Sequence, residues 1–231
     1  MKKLEHELEV FRQKLVDMGN LAENMVRKAA EALVDPQHAD LTNAIAKDEN
    51  RLDLMQLEID KEAIRMLTVY SPVASDLRMI MSITRITAEL ERIGDHTVNM
   101  CESVQLLVTR GGTDIPANVL RMASLVSGML RDALDAFAQQ DIAKAQSTIA
   151  NDNIVDALND QVMGDLLHME FVRDILAGTK DIASALGQLL ITRSLERIAD
   201  QATNISEEVV YMVKGDDIRH QSLALSRLER P

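Results

Sequence analysis

Apolar residues along this chain recur every three or four positions, and nowhere do they alternate for long. Between residues 75 and 109, Ile83, Ile86, Leu90, Ile93 and Met100 follow that spacing. Residues so spaced share one face of an α-helix, and no comparable strand signal appears. The pattern breaks only where turn-forming residues cluster: Asp35-Pro36, Ser71-Pro72, Gly111-Gly112 through Pro116, Gln139-Gln140-Asp141, Gly178 and Gly215. Six helices are therefore predicted, near residues 4–34, 40–70, 75–109, 117–138, 142–176 and 181–213. At ~1.5 Å per residue the longest would reach about 50 Å. Helices of that length lie side by side, so the predicted class is all-α, with six long antiparallel helices in bundles.

The chain also repeats itself. Leu90-Glu91-Arg92-Ile93-Gly94-Asp95-His96-Thr97-Val98-Asn99 returns as Leu195-Glu196-Arg197-Ile198-Ala199-Asp200-Gln201-Ala202-Thr203-Asn204, identical at 6 of 10 positions and offset by 105. Shorter pieces align in the same order: Met25 and Arg27 with Met129 and Arg131, Asp40-Leu41 with Asp141-Ile142, and Glu49…Asp53 with Asp152…Asp156. Ordered repetition predicts two tandem, similar three-helix bundles, each covering the apolar side the other leaves open. Their expected extents are 1–112 and 113–218, with the boundary in the Gly111–Pro116 loop and a tail at 219–231.

Composition narrows the function classes. With 231 residues, 46% hydrophobic, the chain can bury a substantial core. Its 37 Asp and Glu against 25 Lys and Arg leave a net charge of -12, the wrong sign for a nucleic-acid binder. Aromatics at 2% and the lack of Trp disfavour a β-sandwich or barrel. A single cysteine, Cys101, excludes an internal disulfide framework and a Cys-rich zinc site. The start, Met1-Lys2-Lys3-Leu4-Glu5-His6-Glu7, lacks the apolar core of a signal peptide, and no apolar run nears the roughly 18–20 residues of a membrane span. A cytoplasmic protein is expected. No amphipathic basic helix or lipidation signal is visible, so any membrane association is expected to run through partners.

The repeated Glu-x-x-x-Asp carries the candidate chemistry. At about 100° per residue, Glu91, Asp95, Asn99 and Glu102 share one narrow arc, largely opposite the apolar stripe, and are expected to face solvent. Glu196, Asp200, Asn204 and Glu207 repeat that spacing. The preceding helix of each unit carries a second pair one turn apart, Glu49/Asp53 and Asp152/Asp156. Like charges at i,i+4 cost a helix a few tenths of a kcal/mol, which a cation between them would remove. Oxygen donors suit Mg, Ca, Mn or Fe. If the second and third helices of a unit pack together, four carboxylates converge on one or more ions. The alternative is a solvated acidic face.

Other residues say less. Arg92 and Arg197 are expected to pair with carboxylates of neighbouring helices, and Asp76 and Arg78 to cap or bridge helices. Five His are scattered without any Glu-x-x-His pair, so a ferritin-like di-iron site is unsupported. The 13 Met are read as core filler, with an adaptable binding surface as the alternative. Cys101 has no His or base beside it and is expected to be a buried, inert thiol. No phosphate-binding Gly-rich loop, nucleophile elbow or triad pattern is visible, and no enzyme is expected.

The paired L-E-R-I-[GA]-D-x-x-x-N segments, the lead-in Pro72-Val73-Ala74-Ser75-Asp76-Leu77-Arg78 and the closing Val213-Lys214-Gly215-Asp216-Asp217-Ile218-Arg219-His220 resemble the PhoU family, over about residues 4–220. The resemblance implies two three-helix bundles, usually as a homodimer, in the cytoplasm at the inner face of the membrane. It implies a negative regulator of the phosphate-starvation regulon that also modulates phosphate uptake. The implied partners are the ATPase subunit of the phosphate ABC transporter and the phosphate-sensing histidine kinase. It further implies iron or zinc clusters, with manganese or magnesium as alternatives, at Glu49, Asp53, Glu91 and Asp95, and at Asp152, Asp156, Glu196 and Asp200. Asn99 and Asn204 are further candidate ligands. Arg78 lacks a counterpart in the second unit, where Ala183 aligns, and His96 is matched by Gln201, so the two sites need not bind metal equally. Two rivals lie outside this reading: a carboxylate-bridged metalloenzyme, and a helical scaffold unconnected with phosphate.

Overall fold

A computed structural model of the chain describes residues 2–35, 41–109, 115–168, 178 and 182–219. Among these, six helices are present and no strand: α1 (Lys2–Val34), α2 (Leu41–Tyr70), α3 (Ala74–Thr109), α4 (Ala117–Gln139), α5 (Ile142–Leu167) and α6 (Ile182–Lys214). Five of the six agree with the expected segments to within two residues at each end. The exception is α5, expected to run to 176, which stops at Leu167 with His168 already extended (φ -63, ψ 139). In the sequence the apolar pattern continues past Leu167 through Met169, Phe171, Val172 and Ile175. Residues 169–176, Asp181, most of the Gly111–Pro116 boundary and most of the 219–231 tail lie outside the described residues.

Local chemistry accounts for the turns. Gln140 takes the left-handed conformation (φ 55) at the end of α4, where its N–H and that of Asp141 close on Phe137 O and Ala136 O. Asp141 then caps α5, accepting from the Lys144 N–H at 3.1 Å. Two residues thus suffice to reverse the chain. Each helix buries one stripe, as in α1, where Phe11, Leu15, Met18, Ala22, Met25, Ala29 and Leu33 are essentially inaccessible.

Within each unit all three helices pack on one another: α1, α2 and α3, then α4, α5 and α6. The units join through α3 against α6, the most extensive helix pair among the described residues, and α1 against α4. Both pairs run antiparallel. Glu208 of α6 meets Ser82 and Arg85 of α3, whereas Gly187 at the opposite end meets Leu107. A side-chain carbon at Gly187 would lie 2.6 Å from Leu107 Cδ2, and one at Gly19 would lie 2.6 Å from Leu134 of α4. Glycine at these two points lets the units approach closely. Residues from all six helices form one continuous core, which includes Met18, Met25, Met66, Met100, Met122, Met129 and Met212, as expected of Met as core filler.

Candidate functional site

The first carboxylate group joins α2 to α3. Leu52 and Ile59 of α2 are buried, which turns Glu49 and Asp53, on the flank of that stripe, toward the α3 flank bearing Glu91 and Asp95. A close contact sets the spacing, since a side-chain carbon at Gly94 would come 2.8 Å from Leu52 Cδ1. Asp53 and Asp95 act on both Glu49 and Glu91. Burial, then repulsion from Asp53 and Asp95, raises the Glu49 pKa above the usual range. Burial, then Asp95 and Asp53, does the same at Glu91, partly opposed by Arg92.

The second unit repeats this between α5 and α6 in a tighter setting. Asp152 is pushed up to about 6 by burial first, then by Asp156 and Asp200. Asp200 is also raised, by burial first and then by Glu196, with Arg197 opposing. Asp95 and Asp156 are exposed, whereas Asp152 and Asp200 are partly covered. In α3, Asp95, Asn99 and Glu102 face solvent as expected and only Glu91 is partly covered, whereas in α6 Glu196, Asp200 and Glu207 are all partly covered. As the side chains stand, no three His, Cys, Asp or Glu among the described residues surround a common point closely enough to hold a metal ion.

The charge partners differ from expectation. Arg92 pairs with Glu89 at 2.9 Å and Arg197 with Asp200 at 3.2 Å, each on its own helix instead of a neighbour. An i,i+3 partner one turn away needs no reach across the seam. His96 lies beside both arginines, and burial, with opposition from Asp95 and support from Arg197 and Arg92, lowers its pKa. The neutral form is favoured accordingly. Asn204 donates to Glu89 at 3.2 Å across the α3–α6 seam, while Asn99 is exposed. An open groove of about 550 Å³ runs here, lined by Arg92, His96, Asp152, Arg197, Asp200 and Gln201.

Two features were not anticipated from the residues. Gln201 is buried and its Oε1 lacks a hydrogen-bond donor, leaving a further oxygen beside Asp200. Its position after the motif Asp, opposite His96 in the repeat, was the available signal. The second is Glu208, which is 3% exposed and accepts from Arg219 at 2.8 Å, Arg85 at 3.3 Å and Ser82 at 3.3 Å. Both arginines also stand over the Tyr211 ring, at 5.5 and 5.7 Å. Gly215 turns the chain back with φ 82, and a side-chain carbon there would meet Arg78 Cζ at 3.4 Å. Arg78 of α3 thus packs against the turn after α6, with its Nε buried and without a hydrogen-bond partner. Cys101 is buried and its thiol is pushed up to about 12, chiefly by burial.

Known proteins share this architecture. The PhoU domain matches residues 15–104 and 119–209. A phosphate-specific transport system accessory protein PhoU homolog from Clostridium acetobutylicum is 32% identical, covering 93% of this chain and 95% of that protein. The crystal structure of PhoU from Pseudomonas aeruginosa superposes with a TM-score of 0.83 at 34% identity, covering 92% of this chain and 99% of that one. The phosphate transport system regulatory protein PhoU from Streptococcus pneumoniae gives 0.80 at 27% identity, covering 93% and 99%. Two consecutive PhoU domains, a shared six-helix architecture and full-length similarity to these proteins place the chain in the PhoU family.

Proposed function

We propose that this chain is a negative regulator of the phosphate-starvation response and a modulator of phosphate uptake, coupling a phosphate ABC transporter to its sensor histidine kinase. The observation that carries this reading is the extent of the family match: two PhoU domains, at residues 15–104 and 119–209, and 32% identity over 93% of the chain to a phosphate-specific transport system accessory protein PhoU homolog. The mechanism is one of contact and not of catalysis. Six helices sharing one core form a stiff plate, with room for the transporter's ATPase subunit on one surface and the kinase on another. Coupling then requires that the plate bind the two transporter states with different free energies. No helix among the described residues is long and apolar enough to cross a membrane. In this proposal the protein works from the cytoplasm, as a homodimer, and reaches the membrane through these partners.

The same reading assigns metal ions to the two carboxylate groups, iron or zinc, alternatively manganese or magnesium. Glu49, Asp53, Glu91 and Asp95 would hold one set, and Asp152, Asp156, Glu196 and Asp200 the other, with Asn99 and Asn204 as further ligands. The donor type fits, being carboxylate oxygens whose pKa values are raised by burial first and by mutual repulsion second, and ligation would require these side chains to turn toward a common point, which they do not share as they stand. A bound cation would supply the missing positive charge, and the carboxylates would then tie α2 to α3 and α5 to α6.

The test is a phosphate-starvation reporter in cells lacking the gene. High output despite abundant phosphate, reversed by the intact gene, is expected, and normal repression without the gene would overturn the regulatory reading. Asp95→Ala and Asp200→Ala, assayed for bound metal by elemental analysis as well as for repression, separate the metal sites from the adaptor role.

A further inference from the structure

Among the described residues three buried side-chain polar atoms lack a hydrogen-bond partner: Arg78 Nε, Gln201 Oε1 and Thr203 Oγ1. Two of the three are oxygens on one turn of α6, and both residues line the open groove into which Asp152 and Asp200 also face. Gln201 is only 8% exposed. A buried oxygen without a donor is costly to a fold unless water or an ion satisfies it. Thr203 stands near enough to Asp152 for its hydroxyl to favour the ionised carboxylate, although the contact falls short of hydrogen-bond geometry. At about 100° per residue the two residues flank Asp200, Thr203 on the side of α5 and Gln201 on the side of α3.

The repeat shows that the helix pair does not itself require these oxygens. At the offset of 105 that aligns Asp200 with Asp95 and Glu196 with Glu91, Thr203 replaces Val98 and Gln201 replaces His96. The carboxylates are kept, while the second unit adds a hydroxyl and an amide oxygen beside them. The units also differ in cover, Asp200 being partly buried and Asp95 exposed, and less water strengthens the attraction between a carboxylate and a cation. The arginines on the groove are already engaged. Arg92 bonds Glu89 at 2.9 Å, and Arg197 bonds Oδ2 of Asp200 at 3.2 Å, which leaves Oδ1 to another cation.

We propose, resting on the metal assignment above, that the second carboxylate group is the stronger of the two cation sites, with Thr203 Oγ1 a neutral ligand to a hard divalent ion beside Asp152 and Asp200. Gln201 Oε1 then accepts from a water bound to that ion. Magnesium or manganese suits both oxygens, since hard ions take carboxylate, hydroxyl and carbonyl oxygens, and magnesium in particular keeps several of its waters. The groove, at about 550 Å³, has room for the ion with its waters. Asp152 and Asp200 turn to meet it, because no three acidic groups share a point as they stand. In the first unit the Val98 methyl groups offer an ion nothing, and water screens the exposed Asp95.

The test is titration of the metal-stripped full chain with manganese(II), read by calorimetry and by the electron paramagnetic resonance of the free ion. Two classes of site are expected, the tighter lost in Asp200→Ala and the weaker in Asp95→Ala. Thr203→Val installs the residue that α3 already carries at the matching position. It should weaken the tighter class about tenfold or more while the helical circular dichroism stays unchanged. Thr203→Ser, which keeps the hydroxyl, should retain the original affinity, and Val98→Thr should strengthen the weaker class. Binding that Asp200→Ala abolishes but Thr203→Val leaves untouched would overturn the inference and spare the metal assignment. So would a tighter class that follows Asp95. A chain that binds manganese at neither group would also overturn it, and the metal assignment falls as well if iron and zinc do not bind.

Discussion

Replacing Glu208 by Ala should loosen the seam between the two units by a predictable amount. Glu208 of α6 is 3% exposed and accepts from Arg219 at 2.8 Å, Arg85 at 3.3 Å and Ser82 at 3.3 Å. Only the Arg219 bond is short, and hydrogen bonds to a charged group contribute about 1.5–3 kcal/mol. The other two lie near the upper limit of useful length and add less. Removing one partner of a fully buried ion pair costs about 3–5 kcal/mol, because the other charge is stranded. Here the Arg85 and Arg219 side chains are 37% and 29% exposed and can rehydrate, which lowers the expected loss to ~2–3 kcal/mol. For a chain of this size that corresponds to a fall in Tm of about 5–10 °C. Urea unfolding followed by circular dichroism measures the loss directly. A double-mutant cycle with Arg219→Ala should give a coupling of ~1–2 kcal/mol. A loss under about 0.5 kcal/mol, or additivity within that margin, would refute the idea that Glu208 ties the turn after α6 to α3.

Asp152 makes a pH prediction of defined sign. Its folded pKa of about 6 exceeds the unfolded value, so between the two the native state binds more protons. In metal-free protein, stability therefore falls as pH rises from about 4 to about 6 and stays reduced above that. The full shift corresponds to about 3 kcal/mol, reduced by solvent screening at a partly exposed site. In chelator at pH 7, Asp152→Asn should then stabilise by ~1–2 kcal/mol, with little effect at pH 4, and a destabilised variant at pH 7 would count against the carboxylate cluster. Cys101, buried with its thiol pushed up to about 12, should react with a thiol reagent at pH 8 only as fast as the chain unfolds. Equal rates in native and denatured protein would disprove that.

The elements were legible because breakers and apolar spacing are local. Helix limits at Tyr70, Thr109 and Gln139 follow from Ser71-Pro72, the Gly111-Gly112 pair and Gln140-Asp141. The end of α5 was not legible, since apolar residues continue past Leu167. The spacing of Glu91 with Asp95 and of Glu196 with Asp200 showed that each pair shares a helix face. Arg92 and Arg197 were misassigned because an arginine reaches its own helix as readily as the next, and only the packed geometry shows Glu89 and Asp200 in reach. On α2 the outward-facing apolar residues were not legible for a related reason. Leu54, Leu57 and Ile64 read as apolar positions whichever way they point, and burial alone separates them from Leu52 and Ile59.

By itself the sequence determined the helices, their duplication and the one-turn spacing of the carboxylates, because each depends on residues within a few positions of one another. Tertiary structure alone decided which faces meet. It set α3 against α6, with Glu208 under Arg85 and Arg219, and Gly187 against Leu107. It also covered Asp152 and Asp200 more than Asp95 and Asp156, and left Leu54, Leu57 and Ile64 in solvent. Burial, pKa and charge pairing at these residues depend on distance in space, and chain order carries that information only after the helices have packed.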